Sequence, residues 1–401
     1  MQLTQCQEQA KQDLLQFLMS DEKVYVLAGA AGTGKTALIK EVEREYIKIQ
    51  QLQNIIEGKP DKPLIKWKYL ATTHKATHAL SQATGEQTAT VHSYFRFVKR
   101  DGKFVQVENP KRSNVIIPID EASYIDQKLL KTILETEGNF KVIFMGDPAQ
   151  LTPVRSKYSP VFDCGFKTSH LKELVRQRDT PLLGTLCNEV REAILNNTAL
   201  PKISEGPGIT RIQSQEEYEA RMIQEFSKPD WTPKTSRVLA WTNLKVEHYN
   251  QFIAQHVLGR THFVEGDRVV LNEAIAGMNT DTELTIVEAY PTTFSGLLGQ
   301  KLDIGHRWLF TPNSLKDLAK LKKQLEKDED AYTLRALENS CADIRFMYAS
   351  TVNKSQGSTF DRVFIDLADI TRCNDFSQVM RMIYVAISRA KYEVIFIGDI
   401  V

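Results

Sequence analysis

The 401-residue chain has few cysteines, almost no excess charge and no long apolar run. Its five cysteines are scattered and none forms a CxxC pair, which argues against a zinc or iron–sulfur centre and indicates reduced intracellular thiols. Lysine and arginine together exceed aspartate and glutamate by one, so any nucleic-acid site must be a local groove. The N-terminus lacks the pattern of a secretion signal, and no apolar stretch is long enough to span a bilayer. We therefore expect a protein of the cytoplasm without membrane contacts.

The strongest motif is a glycine-rich loop between an apolar run and a helical run. Residues 27–40 read LAGAAGTGKTALIK and contain the pattern GxxxxGK[ST]. Residues 23–27 predict a buried strand, and residues 36–49 predict a helix. Glycines let backbone N–H groups turn onto phosphate oxygens, and a helix N-terminus favours negative charge. An ordinary glycine turn would not require this order of strand, loop and helix, so we predict a nucleoside-triphosphate site.

The residues of this loop have separate predicted roles. Lys35 should reach the β- and γ-phosphates of ATP, and the Thr36 hydroxyl should coordinate the Mg²⁺ that the nucleotide carries. The residues predicted to surround the phosphates are Gly29, Ala30, Ala31, Gly32, Thr33, Gly34, Lys35 and Thr36.

Two later apolar strands end in polar residues that suit nucleotide hydrolysis. In IIPIDE, Asp120 would complete the Mg²⁺ shell, and Glu121 would orient and deprotonate the attacking water. In GDPAQL, Gln150 could touch the γ-phosphate. Either stretch alone could be a solvated turn, but the phosphate-binding loop upstream favours the catalytic interpretation. His74 and His78 are one helical turn apart, but Lys75 replaces the glutamate of HExxH, so we expect no metal there.

Strands and helical stretches alternate twice, which predicts an α/β fold with parallel sheets. Asp101-Gly102 lies between two alternating runs in the first part and predicts a β-hairpin. Residues from about 259 to 345 differ, with short strand candidates at barrel-like spacing and a charged helical stretch at 315–337. We predict an inserted small β-barrel that carries this helical stretch.

Nine short motifs follow the order found in superfamily 1 helicases. They read GAAGTGKT, ATTHKATHAL, ATVHSY, IDEAS, GDPAQLTPV, LKELVRQ, RVLAWTNLKVEHYN, STVNKSQGSTF and YVAISRAK. The chain most closely resembles the RecD/Dda branch, the superfamily 1B enzymes that move 5′→3′ on single-stranded DNA. The resemblance spans nearly the whole chain and includes its compact size, the hairpin and the inserted barrel.

This resemblance implies two RecA-like P-loop core domains. A short β-hairpin is inserted in the first, and a small Src-homology-3-like β-barrel is inserted in the second. The expected boundaries are 1–177 for the first core domain with its hairpin at 94–113, 178–258 and 346–401 for the two parts of the second, and 259–345 for the barrel with its helical segment.

The resemblance also implies roles for residues outside the phosphate loop. Gln7 would contact adenine, although Thr4 and Gln7 also have the spacing of a helix capping box. Arg176 and Arg389 would be arginine fingers that neutralise charge on the γ-phosphate, and a surface ion pair is the alternative for each. Gln356 and Gly357 would belong to the nucleotide site, and Gln356 would couple this site to DNA.

Single-stranded DNA would be held by hydroxyl, amide and basic side chains and by one aromatic ring. The implied contacts are Thr73, His74, Lys75, Thr90, His92, Trp241, Thr242, Asn243, Thr351, Asn353 and Lys354. Trp241 could equally be a core residue at a strand end. Asn353 departs from the family pattern, which usually has histidine, and loses the ring and any positive charge. Phe97 or Phe104, near the tip region of the hairpin, would act as a wedge at the last base pair, although a short hairpin could also be structural.

We therefore predict an ATP- and Mg²⁺-dependent DNA helicase that moves 5′→3′ and unwinds duplex DNA. Its expected partners are single-stranded and fork DNA, with replication or recombination proteins as further partners, and we expect an active monomer associated with the nucleoid. The alternatives are a RecD-like motor subunit that needs a partner and a DNA-stimulated ATPase switch. A small-molecule kinase would leave the motifs after Gly146 without a purpose.

Overall fold

A computed structural model describes residues 3–100, 103–108, 111–152, 159–173, 179–275 and 277–399. The chain forms two compact units. The first contains residues 1–210, 356–359 and 371–394, and the second contains residues 211–355, 360–370 and 395–401. The helices and strands of both units confirm the predicted α/β class, whereas the four domain boundaries given above stay predictions.

The first unit contains most of the elements that surround the phosphate-binding loop. They are α1 Gln5–Met19, β1 Val24–Gly29, α2 Lys35–Ile56, β2 Lys66–Trp67, β3 Leu70–Ala71, α3 His74–Thr84, β4 Ala89–Thr90, α4 Val91–Tyr94, β5 Phe97–Arg100, β6 Lys103–Gln106, β7 Val115–Asp120, α5 Gln127–Glu135, β8 Phe140–Gly146, β9 Thr168–Leu171 and α6 Pro181–Asn196. The first helix occupies residues 5–19, and the helix predicted after the loop is confirmed and extends to Ile56.

A parallel sheet of seven strands organises this unit. The strand order is β4-β3-β7-β8-β1-β9, and β2 also pairs with β7. Every pair in it is parallel, with Ala28 opposite Gly146 and Ala71 opposite Asp120. Since the carboxyl ends of parallel strands meet at one edge, the loops after β1, β7 and β8 lie side by side. This register brings the motifs of the predicted nucleotide site together.

The central strands are apolar because both faces of the sheet are covered. Residues Val26 to Ala28 of β1 are fully buried, as are Val142 to Met145 of β8. On α2 the buried residues Leu38, Ile39 and Val42 recur at helical spacing and face the core cluster that includes Leu27. Burial on both faces accounts for the continuous apolar runs that the sequence shows there.

The predicted hairpin is present as the antiparallel pair β5–β6. Phe97 lies opposite Gln106, and Val98 lies opposite Val105. Phe97 is at the base of the hairpin, only 8% exposed, and packs in a core cluster with Phe95. The expectation that Phe97 stands near the tip is therefore wrong, because the strand begins at this residue and turns its ring inward. Asp101, Gly102 and the side chain of Phe104 lie outside what the structure describes.

The second unit begins with a further strand–helix alternation. The elements that follow α6 in the chain include α13, which lies in the first unit, and β10 and β20, which cross the division between the units. They are β10 Ile209–Ile212, α7 Gln215–Phe226, β11 Ser236–Ala240, α8 Asn243–Leu258, β12 Arg268–Leu271, β13 Glu283–Thr285, β14 Glu288–Phe294, β15 Leu297–Asp303, β16 Trp308–Pro312, α9 Leu315–Lys327, α10 Ala331–Ser340, β17 Ile344–Phe346, β18 Ala349–Thr351, α11 Val352–Ser355, β19 Phe360–Asp366, α12 Leu367–Ile370, α13 Phe376–Arg389 and β20 Ala390–Ile397. The larger sheet has the strand order β10-β20-β19-β11-β18, and β11 is parallel to both β18 and β19.

The inserted region contains two antiparallel sheets of three strands each. Their orders are β13-β12-β17 and β14-β15-β16. The strands β14 and β15 form a hairpin that the sequence analysis missed, closed by Ser295 and Gly296 with φ values of 50° and 80°. Two residues with positive φ are typical of a tight hairpin turn. A closed barrel of the Src-homology-3 type stays a prediction.

The helical stretch at 315–337 consists of two helices, α9 and α10. Glu329 has a φ of 54°, and the Asp330 side chain accepts a hydrogen bond from the backbone N–H of Thr333. The left-handed residue ends one helix, and the aspartate caps the start of the next.

Candidate active site

The phosphate-binding loop connects β1 to α2 in the first unit. Gly32 and Gly34 have φ values of 86° and 80°, which L side chains rarely adopt. The Thr33 hydroxyl donates to the carbonyl of Ala30 at 2.9 Å and closes the loop. Because α2 begins at Lys35, the N–H groups of its first turn lack a carbonyl partner four residues earlier within the helix, and such a helix start can receive phosphate oxygens.

Lys35 lies folded over the loop. Its Nζ donates to the carbonyl oxygens of Gly29 and Ala30 at 2.7 and 2.9 Å. These carbonyls hold the ammonium group above the turn, within reach of an incoming phosphate. A phosphate chain would replace neutral acceptors with charged ones, which make stronger hydrogen bonds to an ammonium group.

Gln7 connects the first helix to the phosphate-binding loop. Its side chain is 1% exposed and is used at both ends. Its Oε1 accepts from the backbone N–H of Thr4 at 3.0 Å, and its Nε2 donates to the carbonyl of Thr33 at 2.8 Å. The Thr4 hydroxyl accepts in return from the N–H of Gln7, so the capping box is confirmed. The adenine contact stays a prediction.

Asp120 and Glu121 stand at the carboxyl end of β7. The N–H of Glu121 donates to Oδ1 of Asp120 at 2.9 Å. Glu121 itself has a φ of 54° and a ψ of 44°, a left-handed backbone that a glutamate rarely adopts. Such strain occurs mainly at functional sites, where the surrounding structure holds it in place. Here the left-handed residue directly follows the last residue of β7.

Burial raises the pKa of both carboxyl groups above their ordinary values. For Asp120 burial is opposed by the positive charge of Lys35. For Glu121 burial is reinforced by the negative charge of Asp120 and opposed by Arg389, Lys35 and a hydrogen bond from Gln356. A carboxylate with a raised pKa is a stronger base, which suits Glu121 for taking a proton from water.

Gln356 joins the polar residues of three motifs. Its Nε2 donates to Oε1 of Gln150 at 2.7 Å and to Oε2 of Glu121 at 3.2 Å. Its Oε1 accepts from the hydroxyl of Tyr124. Gln150 and Gln356 are 3% and 7% exposed, so these hydrogen bonds are shielded from water. Tyr124 was missed by the sequence analysis, although it lies directly after the IDEAS motif. Gly357 follows with a φ of 79°.

Arg389 is the last residue of α13, which belongs to the first unit. Its guanidinium is 2% exposed and donates to the carbonyl of Ser358 at 3.3 Å and to the Ser388 hydroxyl at 2.7 Å. The alternative of a surface ion pair is therefore wrong for Arg389. Its charge lowers the pKa of Glu121 and of Tyr124, so it lies within electrostatic range of the Glu121 carboxylate. Arg176 lies outside the described residues.

The DNA-contact candidates of the first unit follow neighbouring strands. Thr73 caps α3 and Thr90 caps α4, and each hydroxyl accepts a backbone N–H. Thr90 lies opposite Ala71, so the two segments share one edge of the sheet. His74 is exposed, and Lys75 is half-buried. Burial lowers the pKa of His92, the other candidate of this unit.

The candidates of the second unit include a segment held by one buried carboxylate. Asp369, which is 3% exposed, accepts from the backbone N–H groups of Trp241 and Thr242 at 2.8 Å each. It also accepts from the Thr242 hydroxyl at 2.9 Å. Three hydrogen bonds to one carboxylate fix the turn between β11 and α8. Asp369 was missed because nothing in the sequence separates it from other aspartates.

The remaining candidates of this unit lie around β18 and α11. Thr351 pairs with Ala240 of β11, and its hydroxyl accepts from the N–H of Lys354. Asn353 is exposed. The Nζ of Lys354 donates to the carbonyl of Asn272 at 2.7 Å. The Lys354 ammonium group therefore already makes a hydrogen bond within the second unit. Separately, Asn243 at the start of α8 is exposed.

The predicted oxygen ligands for Mg²⁺ are the Thr36 hydroxyl and the Asp120 carboxylate. No cluster of three or more histidine, cysteine, aspartate or glutamate residues suitable for a metal occurs in the described part of the chain. Two oxygen donors fit an ion that keeps several waters and binds mainly through nucleotide phosphates. The chemistry of these two residues therefore fits a metal that arrives with ATP.

Among the residues that the structure describes, no helix has the length and apolar character that crossing a bilayer requires.

Comparisons with known proteins match both ends of the chain. Residues 2–200 match the AAA domain family, and residues 346–397 match the UvrD-like helicase C-terminal domain family. The ATP-dependent DNA helicase dda of Enterobacteria phage T4 is 24% identical over 458 residues, covering 98% of this chain and 99% of the relative.

Two solved Pif1 helicase structures share the fold over the full length of this chain. One, from work on unwinding at forked double-stranded DNA by two coordinating Pif1 helicases, has a TM-score of 0.54 at 17% identity and is covered to 93%. The other, from Bacteroides in complex with ADP-AlF3 and single-stranded DNA, has a TM-score of 0.51 at 17% identity and is covered to 94%. Together with the ordered motifs, the phage relative and the AAA domain match support a superfamily 1B helicase of the Dda and RecD type, and the two Pif1 structures support the fold.

Proposed function

We propose that this protein is an ATP-dependent DNA helicase that moves 5′→3′ on single-stranded DNA and unwinds duplex DNA. The observation that carries the proposal is the position of Gln356. Its amide contacts Glu121 and Gln150, and the candidate DNA contacts Thr351, Asn353 and Lys354 lie directly before it in the chain. Hydrolysis of the γ-phosphate would therefore change the surroundings of Gln356, and this change would reach the candidate DNA contacts that directly precede Gln356 in the chain.

The chemistry of hydrolysis is divided among residues that the first unit holds together. Lys35 binds the phosphate chain, and Glu121 orients a water molecule and accepts its proton. Arg389 neutralises charge that develops on the phosphoryl group. When bound with ATP, Mg²⁺ supplies further charge neutralisation at the phosphates, and Thr36 and Asp120 would hold it.

Two candidate contacts to single-stranded DNA lie at the starts of helices. The hydroxyls of Thr73 and Thr242 cap α3 and α8, which fixes the first turn of each helix. N–H groups at a helix N-terminus bind phosphate oxygens without reading the base sequence. Binding that is independent of sequence is what a motor needs in order to move along any strand.

Likeness to relatives supports the substrate and the direction. The phage relative is named an ATP-dependent DNA helicase, and one of the structural relatives was solved with single-stranded DNA. The 5′→3′ direction follows from the resemblance to the RecD/Dda branch. Action on DNA would place the protein inside the cell at the nucleoid, where it would work as a monomer with replication or recombination proteins as partners.

The packing of Phe97 restricts where a wedge residue of the hairpin can lie. Because Phe97 belongs to the core, any residue that abuts the last base pair would lie farther along the hairpin. Phe104 stays the candidate for this role.

A single assay tests whether ATP hydrolysis responds to DNA. We expect an oligothymidylate to raise the kcat of ATP hydrolysis by the wild-type chain at least tenfold, in line with electrostatic preorganisation of a site that DNA completes. Lys35→Ala should abolish hydrolysis, while Lys48→Ala, an exposed lysine of the same helix, should match the wild type. Equal hydrolysis with and without DNA would instead favour an ATPase switch that a partner protein controls.

A further inference from the structure

A buried hydrogen-bond network lies beside the predicted catalytic residues and has no role in the function described so far. It is centred on Asp147, which is fully buried, and includes Arg191, Arg381 and Tyr384. We call it the Asp147 network. Its members come from the loop after β8, from α6 and from α13, which all belong to the first unit.

The carboxylate of Asp147 is hydrogen-bonded from three directions. Oδ1 accepts from the backbone N–H of Ala149 at 3.1 Å and from Nε of Arg191 at 3.2 Å. Oδ2 accepts from the hydroxyl of Tyr384, which is also fully buried. A buried carboxylate is stable only when its oxygens are satisfied, so the three donors determine where the loop can lie.

The helix α13 holds the same loop at two further points. Nη1 of Arg381 donates to the carbonyls of Pro148 and Gln150 at 2.6 Å each. Nε2 of Gln378 donates to the Thr152 hydroxyl at 3.1 Å. Residues 378, 381 and 384 are spaced by three, so they lie on one face of the helix. This face binds the loop along its length.

The two ends of this connection are predicted catalytic groups. The loop carries Gln150, which would touch the γ-phosphate. The helix ends at Arg389, which would neutralise its charge. Since α13 is a continuous helix, a shift of the loop that moves Tyr384 also moves Arg389. The network therefore fixes the distance between the two groups.

We propose that Asp147 and Tyr384 are positioning residues that set Gln150 and Arg389 relative to one another for ATP hydrolysis. The proposal rests on the function given above. Neither residue touches the phosphates, and both act through Gln150 and the helix. Loss of the Tyr384 hydroxyl should lower the rate of the chemical step and leave nucleotide binding in place.

The test is Tyr384→Phe, which removes one hydroxyl and keeps the ring. We expect kcat for DNA-stimulated ATP hydrolysis to fall about tenfold, as for loss of one hydrogen bond to a buried charge, with KM for ATP within about twofold. The matched control is Tyr249→Phe, since the Tyr249 hydroxyl also donates to a buried carboxylate, that of Asp366 at 2.7 Å, in the second unit. The control should keep the wild-type kcat.

A double-mutant cycle with Gln150→Ala separates positioning from general destabilisation. If Tyr384 acts through Gln150, adding Tyr384→Phe to Gln150→Ala should lower kcat by less than about twofold. Fully additive effects, or a Tyr384→Phe enzyme with the kcat of the Tyr249→Phe control, would overturn the proposal.

Two further results complete the test. If Tyr384→Phe does not fold, Gln378→Ala is the substitute variant. It removes the hydrogen bond from Gln378 to the Thr152 hydroxyl. This loss should lower kcat about threefold, since a neutral hydrogen bond contributes less than a charged one. An unchanged kcat in that variant would overturn the proposal. A wild-type chain without DNA-stimulated hydrolysis would refute the proposed function itself, a result distinct from an active wild type with unaffected variants.

Discussion

Gln7 offers a sharp prediction because one buried side chain serves both a helix cap and the phosphate-binding loop. In Gln7→Ala, the carbonyl of Thr33 loses its amide donor and the N–H of Thr4 loses its acceptor. A neutral hydrogen bond contributes about 0.5–1.5 kcal/mol net, and an unsatisfied buried group costs about 1–3 kcal/mol. We therefore expect the free energy of unfolding to fall by about 2 kcal/mol.

The same substitution should weaken ATP binding. Without the hydrogen bond from Gln7, the Thr33 carbonyl can rotate, and the N–H groups of the loop lose their fixed direction. Loss of about 1.4 kcal/mol would raise KM for ATP about tenfold. Because the hydrolytic residues are not touched, kcat should change by less than about threefold.

The assay also separates the two roles assigned to Gln7. If the residue only positions the loop, Gln7→Ala should raise KM for ATP and GTP by the same factor. If it also contacts adenine, the KM for ATP should rise more than that for GTP.

Gln9→Ala is the matched control, because Gln9 is an exposed glutamine of the same helix that contacts only Asp13 among the described residues. The reasoning is refuted if Gln7→Ala shows the stability and the KM of Gln9→Ala.

Three further substitutions test other parts of the account. Glu121→Gln should lower kcat by about 10²–10⁴ with ATP still bound. Because burial raises the pKa of Glu121, its negative charge destabilises the fold. The nucleotide-free variant should therefore have a higher Tm than the wild type at pH 8, and this difference in Tm should vanish as the pH falls towards 4.5. Asp369→Asn replaces the carboxylate that accepts from the backbone N–H groups of Trp241 and Thr242 with an amide. It should weaken binding of a fluorescent oligothymidylate about tenfold, or ~1.4 kcal/mol. The control Asp230→Asn, at an exposed site of the same unit, should leave this binding unchanged. Phe97→Ala should cost about 3–5 kcal/mol in denaturant unfolding because the ring is buried, whereas Val98→Ala on the exposed side should cost far less; equal losses would place Phe97 outside the core.

The parts of the fold that follow from local sequence were predicted well. The phosphate-binding loop, its flanking strand and helix, and the strand that ends in Asp120 all combine an apolar run with a specific turn pattern. The order of the parallel strands is a tertiary property, and no single segment encodes it. The hairpin at β14–β15 was missed because none of the seven β14 residues is buried, so the apolar alternation is weak.

The site residues also divide into those that a short motif indicates and those whose surroundings exist only in the folded chain. Lys35, Glu121 and Gln150 belong to short motifs, so the sequence alone indicated them. Asp147 and Asp369 act through what surrounds them after folding, and an isolated aspartate gives no sign of this. Phe97 was misplaced because an aromatic residue in a short strand has the same pattern whether its ring faces solvent or the core.

The most direct test of the central claim is ATP-driven unwinding of two matched duplexes, one with a 5′ single-stranded tail and one with a 3′ tail. Lys35→Ala is the inactive control, and Lys48→Ala is the active one. We predict that the wild type opens only the duplex with the 5′ tail. Preferential opening of the duplex with the 3′ tail, or opening of neither duplex while ATP is hydrolysed, would contradict the account.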